Sequence, residues 1–215
     1  VTTADAAFLA EAAALASWIA RSFPDGPPDG GEWECDYDGW PALYQAFAAL
    51  VAAAPAPTWS PALVATVLEV LARDNECQQL ARTVPRDAAV GLARAARAGG
   101  PAEARWQLAV ELADPAVDGA DAAAELAHLA DDHDEYVRRR AVQSLARRGA
   151  PVAEALAVRE WTTASPALPW TRMNALWCLH HLGSPALAAL LAEADRDPDP
   201  LVRDYATRVR AGTAR

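Results

Sequence analysis

The sequence contains no lysine: all nineteen basic residues among its 215 are arginine, a bias that reads first as coding-sequence base composition. Isoleucine is nearly missing too, present only at Ile19. β-Structure draws heavily on β-branched residues, and here the apolar bulk falls instead to Ala, Leu and Val. Alanine costs no side-chain entropy in a helix and lets helices approach closely, so this composition favours packed helices over sheet. Cysteine is scarce. Cys35, Cys77 and Cys178 are an odd, scattered set without C-x-x-C spacing, which points to neither a disulfide framework nor a zinc knuckle. No uninterrupted apolar run is long enough to span a bilayer, and no basic stretch with an apolar core opens the chain. The expectation is a reduced, cytoplasmic protein without a membrane segment.

Positive charge is also short. The formal net charge is −10, distributed as −6 over residues 1–100 and −4 over 101–215. A general binder of phosphate backbones needs a cationic surface, so nucleic acid is disfavoured as a partner. No Walker loop, dinucleotide glycine fingerprint or G-x-S-x-G occurs. His128, His133, His180 and His181 are never followed by Glu, and the adjacent His180 and His181 point roughly 100° apart on a helix, which keeps them off one metal. The sequence therefore offers no catalytic residue, metal ligand or cofactor site.

What is present is punctuation and repetition. Ser60-Pro61, Gly100-Pro101, Ser184-Pro185 and Asp199-Pro200 each set a capping or permissive residue before Pro, the preferred first residue of a helix. Ala150-Pro151 and Trp40-Pro41 do so more weakly. Between these marks the pattern predicts about eleven short amphipathic helices, near 3–22, 41–54, 60–73, 86–98, 101–113, 119–130, 135–148, 151–163, 169–182, 185–194 and 200–210. Four segments align with one another around Arg105, Arg138, Arg172 and Arg203, spaced by 33, 34 and 31 residues. Three residues after each Arg stands Leu108, Ala141, Ala175 or Ala206, and four further on three of them place Leu112, Leu145 and Leu179. Core positions thus fall at Val137, Ala141 and Leu145, and at Thr171, Ala175 and Leu179. Gly149 and Gly183 are the expected C-caps of two of the repeated helices.

These residues carry a resemblance. Asp197-Pro198-Asp199-Pro200-Leu201-Val202-Arg203 resembles the D-P-D-P-x-V-R signature of HEAT-like repeats, and Asp132-His133-Asp134-Glu135-Tyr136-Val137-Arg138 is similar to it without the prolines. Bacterial HEAT-repeat proteins and the HEAT-like subunits of phycobilin lyases share such repeats. The resemblance covers residues 100–215 and implies an all-α, right-handed α-α superhelix, a solenoid of about five to six helical hairpins. It implies a single repeat domain over 1–215, with divergent hairpins in 1–99. It also implies a hydrogen-bonded ladder of Asp132 with Arg138 and Asp197 with Arg203, both arginines being largely buried and each bonded to an acidic side chain or a carbonyl of its own or the adjacent repeat. Arg105 and Arg172 have Gly99 and Pro166 where the ladder Asp would stand.

In that family the second helix of each repeat lines the concave face. The stripe beside the core positions then reads Arg140, Gln143 and Arg147 in one repeat and Asn174, Trp177 and His181 in the next, with Gln107 at the aligned position earlier. Such a mixture gives a recognition surface rigid aromatic area and directional hydrogen bonds; it is also an ordinary solvated face with one half-buried Trp. Arg138, Arg139, Arg140, Arg147 and Arg148 would clamp a carboxylate or phosphate, or else pair with Asp131, Asp132, Asp134 and Glu135 just upstream. The acidic segment 23–40, with Trp33, Tyr37 and Trp40, is either a lid for a basic partner or a loop that its tryptophans pin to the first hairpin. Its Asp36-x-Asp38-Gly39 fails the EF-hand spacing.

The leading functional expectation is a scaffold or adaptor that holds a protein or peptide on its concave face, with a small-molecule ligand as a further option. The alternative is a pathway-specific enzyme on such a scaffold, or a protein similar to the HEAT-like alkylpurine DNA glycosylases. Their pattern of an Asp four residues after a Trp is broken here, because Val110 follows Trp106 at that distance.

Overall fold

The computed structural model describes residues 2–26, 33–53 and 58–213, with only the backbone of residues 33 and 35. The described residues form twelve α-helices and no strand: α1 Thr3–Ser22, α2 Trp40–Ala53, α3 Pro61–Arg73, α4 Gln79–Thr83, α5 Arg86–Gly99, α6 Ala102–Glu111, α7 Gly119–Leu129, α8 Glu135–Arg147, α9 Ala153–Thr163, α10 Pro169–His181, α11 Leu187–Ala194 and α12 Pro200–Arg210. The eleven expected helices are all there, and α4 is additional. It lacks a capping residue of its own, starting from Gln78 in the left-handed region at φ 52°. Its first free amide is satisfied instead by the side chain of Asp74, whose Oδ2 accepts from Leu80 N at 2.7 Å.

The helix contacts gather into two compact units, Val1–Glu111 and Leu112–Arg215. The division falls within the expected stretch of recognisable repeats, 100–215. Helix α6 carries the first arginine of the repeat series but packs on α3, α4 and α5. There Gln107 donates to the Leu71 carbonyl at 2.7 Å and Leu108 is fully buried.

In the first unit α1 lies against α2 and α3, with Phe8 and Phe47 in ring contact at 5.7 Å and Leu15, Leu43, Leu50 and Leu71 buried around them. By length and composition alone α1 is apolar enough to cross a bilayer, with Asp5, Glu11 and Arg21 as its only charges, although the sequence led to the expectation of no membrane segment. Its Phe8, Ala12 and Leu15 face the core, and most of its other alanines are exposed.

In the second unit three hairpins follow one another, α7–α8, α9–α10 and α11–α12, and their second helices pack in sequence, α8 on α10 and α10 on α12. The predicted core positions Val137, Ala141, Leu145, Thr171, Ala175 and Leu179 are all buried. Ala141, Ala175 and Ala206 are completely so, which fits helices in close approach.

Helices α8 and α12 begin alike, and all three second helices end alike, for reasons that are local in sequence. At the start of α8, Asp132 Oδ1 accepts from Asp134 N at 2.9 Å, and Asp134 caps the helix by accepting from Val137 N at 3.1 Å. At the start of α12, Asp197 Oδ1 accepts from Asp199 N at 2.8 Å and Asp199 accepts from Leu201 N. Arg138 reaches back to the carbonyls of Asp132 and His133, and Arg203 to those of Asp197 and Pro198. Arg105 and Arg172 do the same to Gly100 and Pro166. At the other end, Gly149, Gly183 and Gly212 sit at φ 62°, 63° and 67°. Each closes the same Schellman turn, in which the following residue (Ala150, Ser184 or Thr213) donates to the carbonyl five back (Leu145, Leu179 or Arg208).

Candidate binding face on α8 and α10

The aspartate and arginine of the repeated signature meet through the backbone carbonyl, one of the two acceptors expected. Arg138 and Arg203 bond the backbone carbonyls of Asp132 and Asp197, not their carboxylates. The carboxylate of Asp197 meets Arg172 of the preceding second helix at 2.8 Å, with both side chains buried. The rung thus joins one hairpin to the next, so the buried arginines are Arg172 and Arg105, the two that lack an upstream Asp. Arg138 is only partly covered, with Glu160 3.8 Å away on α9, and Arg203 is exposed because no later described helix packs over α12.

The other arginines follow the same logic. Arg148 donates to the carbonyls of Leu112, Asp114 and Val117 and so fastens the connection before α7. Arg159 donates to the Ala130 carbonyl at the end of α7 and to Asp131, and Arg210 to the Leu191 carbonyl and Asp195 at the end of α11. A guanidinium has five donors in a fixed fork, which suits it to gathering the carbonyls that helix ends leave unpaired. Arg139 pairs with Glu135 one turn earlier. The upstream acids and nearby carbonyls therefore absorb most of the Arg138–Arg148 cluster.

The expected groove residues divide in two. Asn174 is buried and donates to the Arg139 carbonyl of α8 at 3.1 Å, while Gln107 is buried in the first unit against Leu71, so both link neighbouring helices. Thr171 adds a further link by donating to Glu135. The rest gather on one face of α8 and α10. Arg140 donates to Gln143 Oε1 at 3.1 Å and to the Tyr136 hydroxyl at 2.5 Å, with its guanidinium 4.8 Å from the Tyr136 ring centre. Tyr136 was not among the expected site residues, although its position four before Arg140 puts it on the same helical face. One turn on, the exposed Arg147 holds its guanidinium 5.6 Å from the centre of the half-buried Trp177 ring. His181, exposed, stacks on Trp177 at 4.8 Å with the planes 10° apart. The face is therefore a row running Tyr136, Arg140, Gln143, Arg147, Trp177 and His181.

Arg147 makes no ion pair among the described residues and keeps its donors for solvent. Beneath the face Cys178 is completely buried and burial pushes its thiol up to about 12, so it is packing rather than a nucleophile. Among the described residues no group of three or more His, Cys, Asp or Glu side chains converges as a metal site would need. The 23–40 segment lies partly outside the described residues, including 27–32 and the side chains of Trp33 and Cys35. Its described part is held by a run of ring contacts, Trp18 on Phe23 and Tyr37, Tyr37 on Trp40, and Trp40 on Tyr44. Comparison of the chain with protein-family models, with curated proteins and with solved structures found no match.

Proposed function

We propose that the chain is a HEAT-like repeat scaffold, and that it holds a protein or peptide partner on the face formed by α8 and α10. The repeat reading is supported by the shared beginnings and endings of α8 and α12, by the Arg172–Asp197 rung and by the sequential packing of α8, α10 and α12. In such a stack this face is the concave one.

The observation that carries the binding reading is Arg147 over Trp177. In a chain of net charge −10, an exposed arginine without an acidic partner is a charge left available. The indole beside it supplies a rigid apolar surface of the kind that anchors interfaces. A carboxylate on the partner would take the guanidinium fork while an apolar neighbour covers the ring. Panning a random peptide library against the chain tests this. The selected peptides are expected to be rich in Asp or Glu beside an apolar residue. Trp177→Ala should weaken them by about thirtyfold, corresponding to about 2 kcal/mol, and Arg147→Ala should remove their preference for acids. Peptides that bind both variants as tightly as the parent would place the site elsewhere.

A further inference from the structure

The first unit holds a small cavity that none of the readings above uses. It measures about 200 Å³ and is lined by Glu34, Trp40, Tyr44, Arg73, Asp74, Glu76 and Cys77. A 3-10 turn over Trp33–Asp36 carries Glu34 to it, the first turns of α2 bring Trp40 and Tyr44, and the end of α3 brings Asp74. Two carboxylates here are more than nine-tenths buried. Asp74 is fully occupied in holding the fold, with Oδ1 accepting from the Tyr44 hydroxyl at 2.8 Å and Oδ2 from Leu80 N. Glu34 is only half occupied. Its Oε1 accepts from Asn75 Nδ2 at 3.2 Å, the Trp40 indole N–H binds its backbone carbonyl at 2.7 Å, and its Oε2 has no partner. A buried carboxylate oxygen with no donor is costly, and Glu34 lines a cavity whose wall includes the stacked rings of Trp40 and Tyr44.

We propose that this cavity binds the primary ammonium end of a short alkyl chain, with its N–H groups on Glu34 Oε2. The missing group must donate a hydrogen bond and should carry positive charge, which an ammonium does and a quaternary amine does not. A guanidinium fork asks for both carboxylate oxygens, and Asn75 already holds one. A divalent ion would need several converging ligands, and no metal-type ligand cluster exists among the described residues. The rings of Trp40 and Tyr44 offer faces to the methylenes and to the charge. At roughly 30 Å³ per water the cavity has room for about five to seven non-hydrogen atoms. This chain, having no lysine, does not supply the group itself. The source is a free alkylamine or a lysine side chain of another protein.

Calorimetric titration of the whole chain with n-pentylammonium chloride tests the assignment, with 1-pentanol as the neutral isostere. The expected result is one site per chain, silent to 1-pentanol and at least tenfold weaker in Glu34→Gln, where the charge is gone and the shape is kept. Trp177→Ala should bind the amine like the parent, which separates this site from the α8–α10 face. Should Glu34→Gln fail to fold, the parent gives a second reading. Bound amine should slow alkylation of the exposed Cys77 at the cavity wall, followed by peptide mass. Binding of Nα-acetyl-lysine amide as tight as that of pentylammonium assigns the source to a lysine side chain, and binding of pentylammonium alone assigns it to a free amine. Equal affinity of Glu34→Gln, equal binding of 1-pentanol, or no binding together with no protection of Cys77 would overturn the proposal.

Discussion

At the scale of single residues, the arginines show what the sequence conveys and what it hides. Their spacing of 33, 34 and 31 residues was legible, and so was the return of each to the turn before its own helix, because donor and acceptor lie within six residues. The carboxylate partner was not, since Asp197 answers to Arg172, 25 residues away on another helix. The same distance hid the roles of Asn174 and Gln107, which looked like groove residues and instead bond carbonyls 35 and 36 residues earlier. Asp74 did leave a signal. An acid at the carboxyl end of a helix opposes the helix dipole and needs a reason to be there. Arg172→Ala would strand the buried Asp197 carboxylate, and removing one partner of a buried pair costs roughly 3–5 kcal/mol. Arg203→Ala loses two hydrogen bonds at an exposed site, about 1 kcal/mol. Urea denaturation should therefore give a much lower midpoint for the first variant than for the second. Equal midpoints would mean that the Arg172–Asp197 rung does not hold the hairpins together.

At the scale of elements, the helices were read well wherever their ends are written in local chemistry. Ser60, Asp134 and Asp199 cap α3, α8 and α12, and Gly149 and Gly183 close α8 and α10. Gly212 closes α12 in the same way but escaped notice, because no proline follows it as one follows the other two. Helix α4 escaped because its cap is the side chain of Asp74, supplied from the preceding turn. The glycines make this testable. At a φ near +62° an alanine side chain meets its own backbone, so Gly149→Ala and Gly183→Ala should each cost about 1–2 kcal/mol although both positions have open space around them. Gly91 lies exposed inside α5 with equally open space and ordinary helical backbone, so Gly91→Ala should raise stability by about 0.5–1 kcal/mol. Opposite signs in thermal melts at these positions are the expected outcome. The same sign for all three would remove the backbone argument for the shared helix endings.

At the scale of the whole molecule, charge and burial act in one direction. The chain carries a net charge of −10, and self-repulsion of that charge works against the compact state. Three carboxylates add to this because the fold covers them. Burial pushes Glu34, Asp74 and Glu160 above their ordinary values of 4.5, 3.8 and 4.5. For Asp74 the bonds from Leu80 N and the Tyr44 hydroxyl oppose the rise, and for Glu160 the nearby Arg138 and Arg159 do. A carboxyl whose value is raised by folding holds its proton in the folded chain at a pH where the unfolded chain has lost it. The folded state then binds more protons, so stability falls as pH rises from the ordinary value through the raised one. Below the ordinary values both states are protonated and the effect is complete. The melting temperature is therefore expected to rise as the pH is lowered towards the ordinary carboxyl values, the reverse of a protein stabilised mainly by paired surface carboxylates. The paired variants Glu34→Gln and Glu160→Gln should melt with a flatter pH profile, because two of the three acids whose values folding raises no longer titrate. The residual slope would then report Asp74 and the general charge, and the latter part should shrink when salt is added. A parent melting temperature that only drops as the pH is lowered towards the ordinary carboxyl values would show that these carboxyls are solvated in the folded chain.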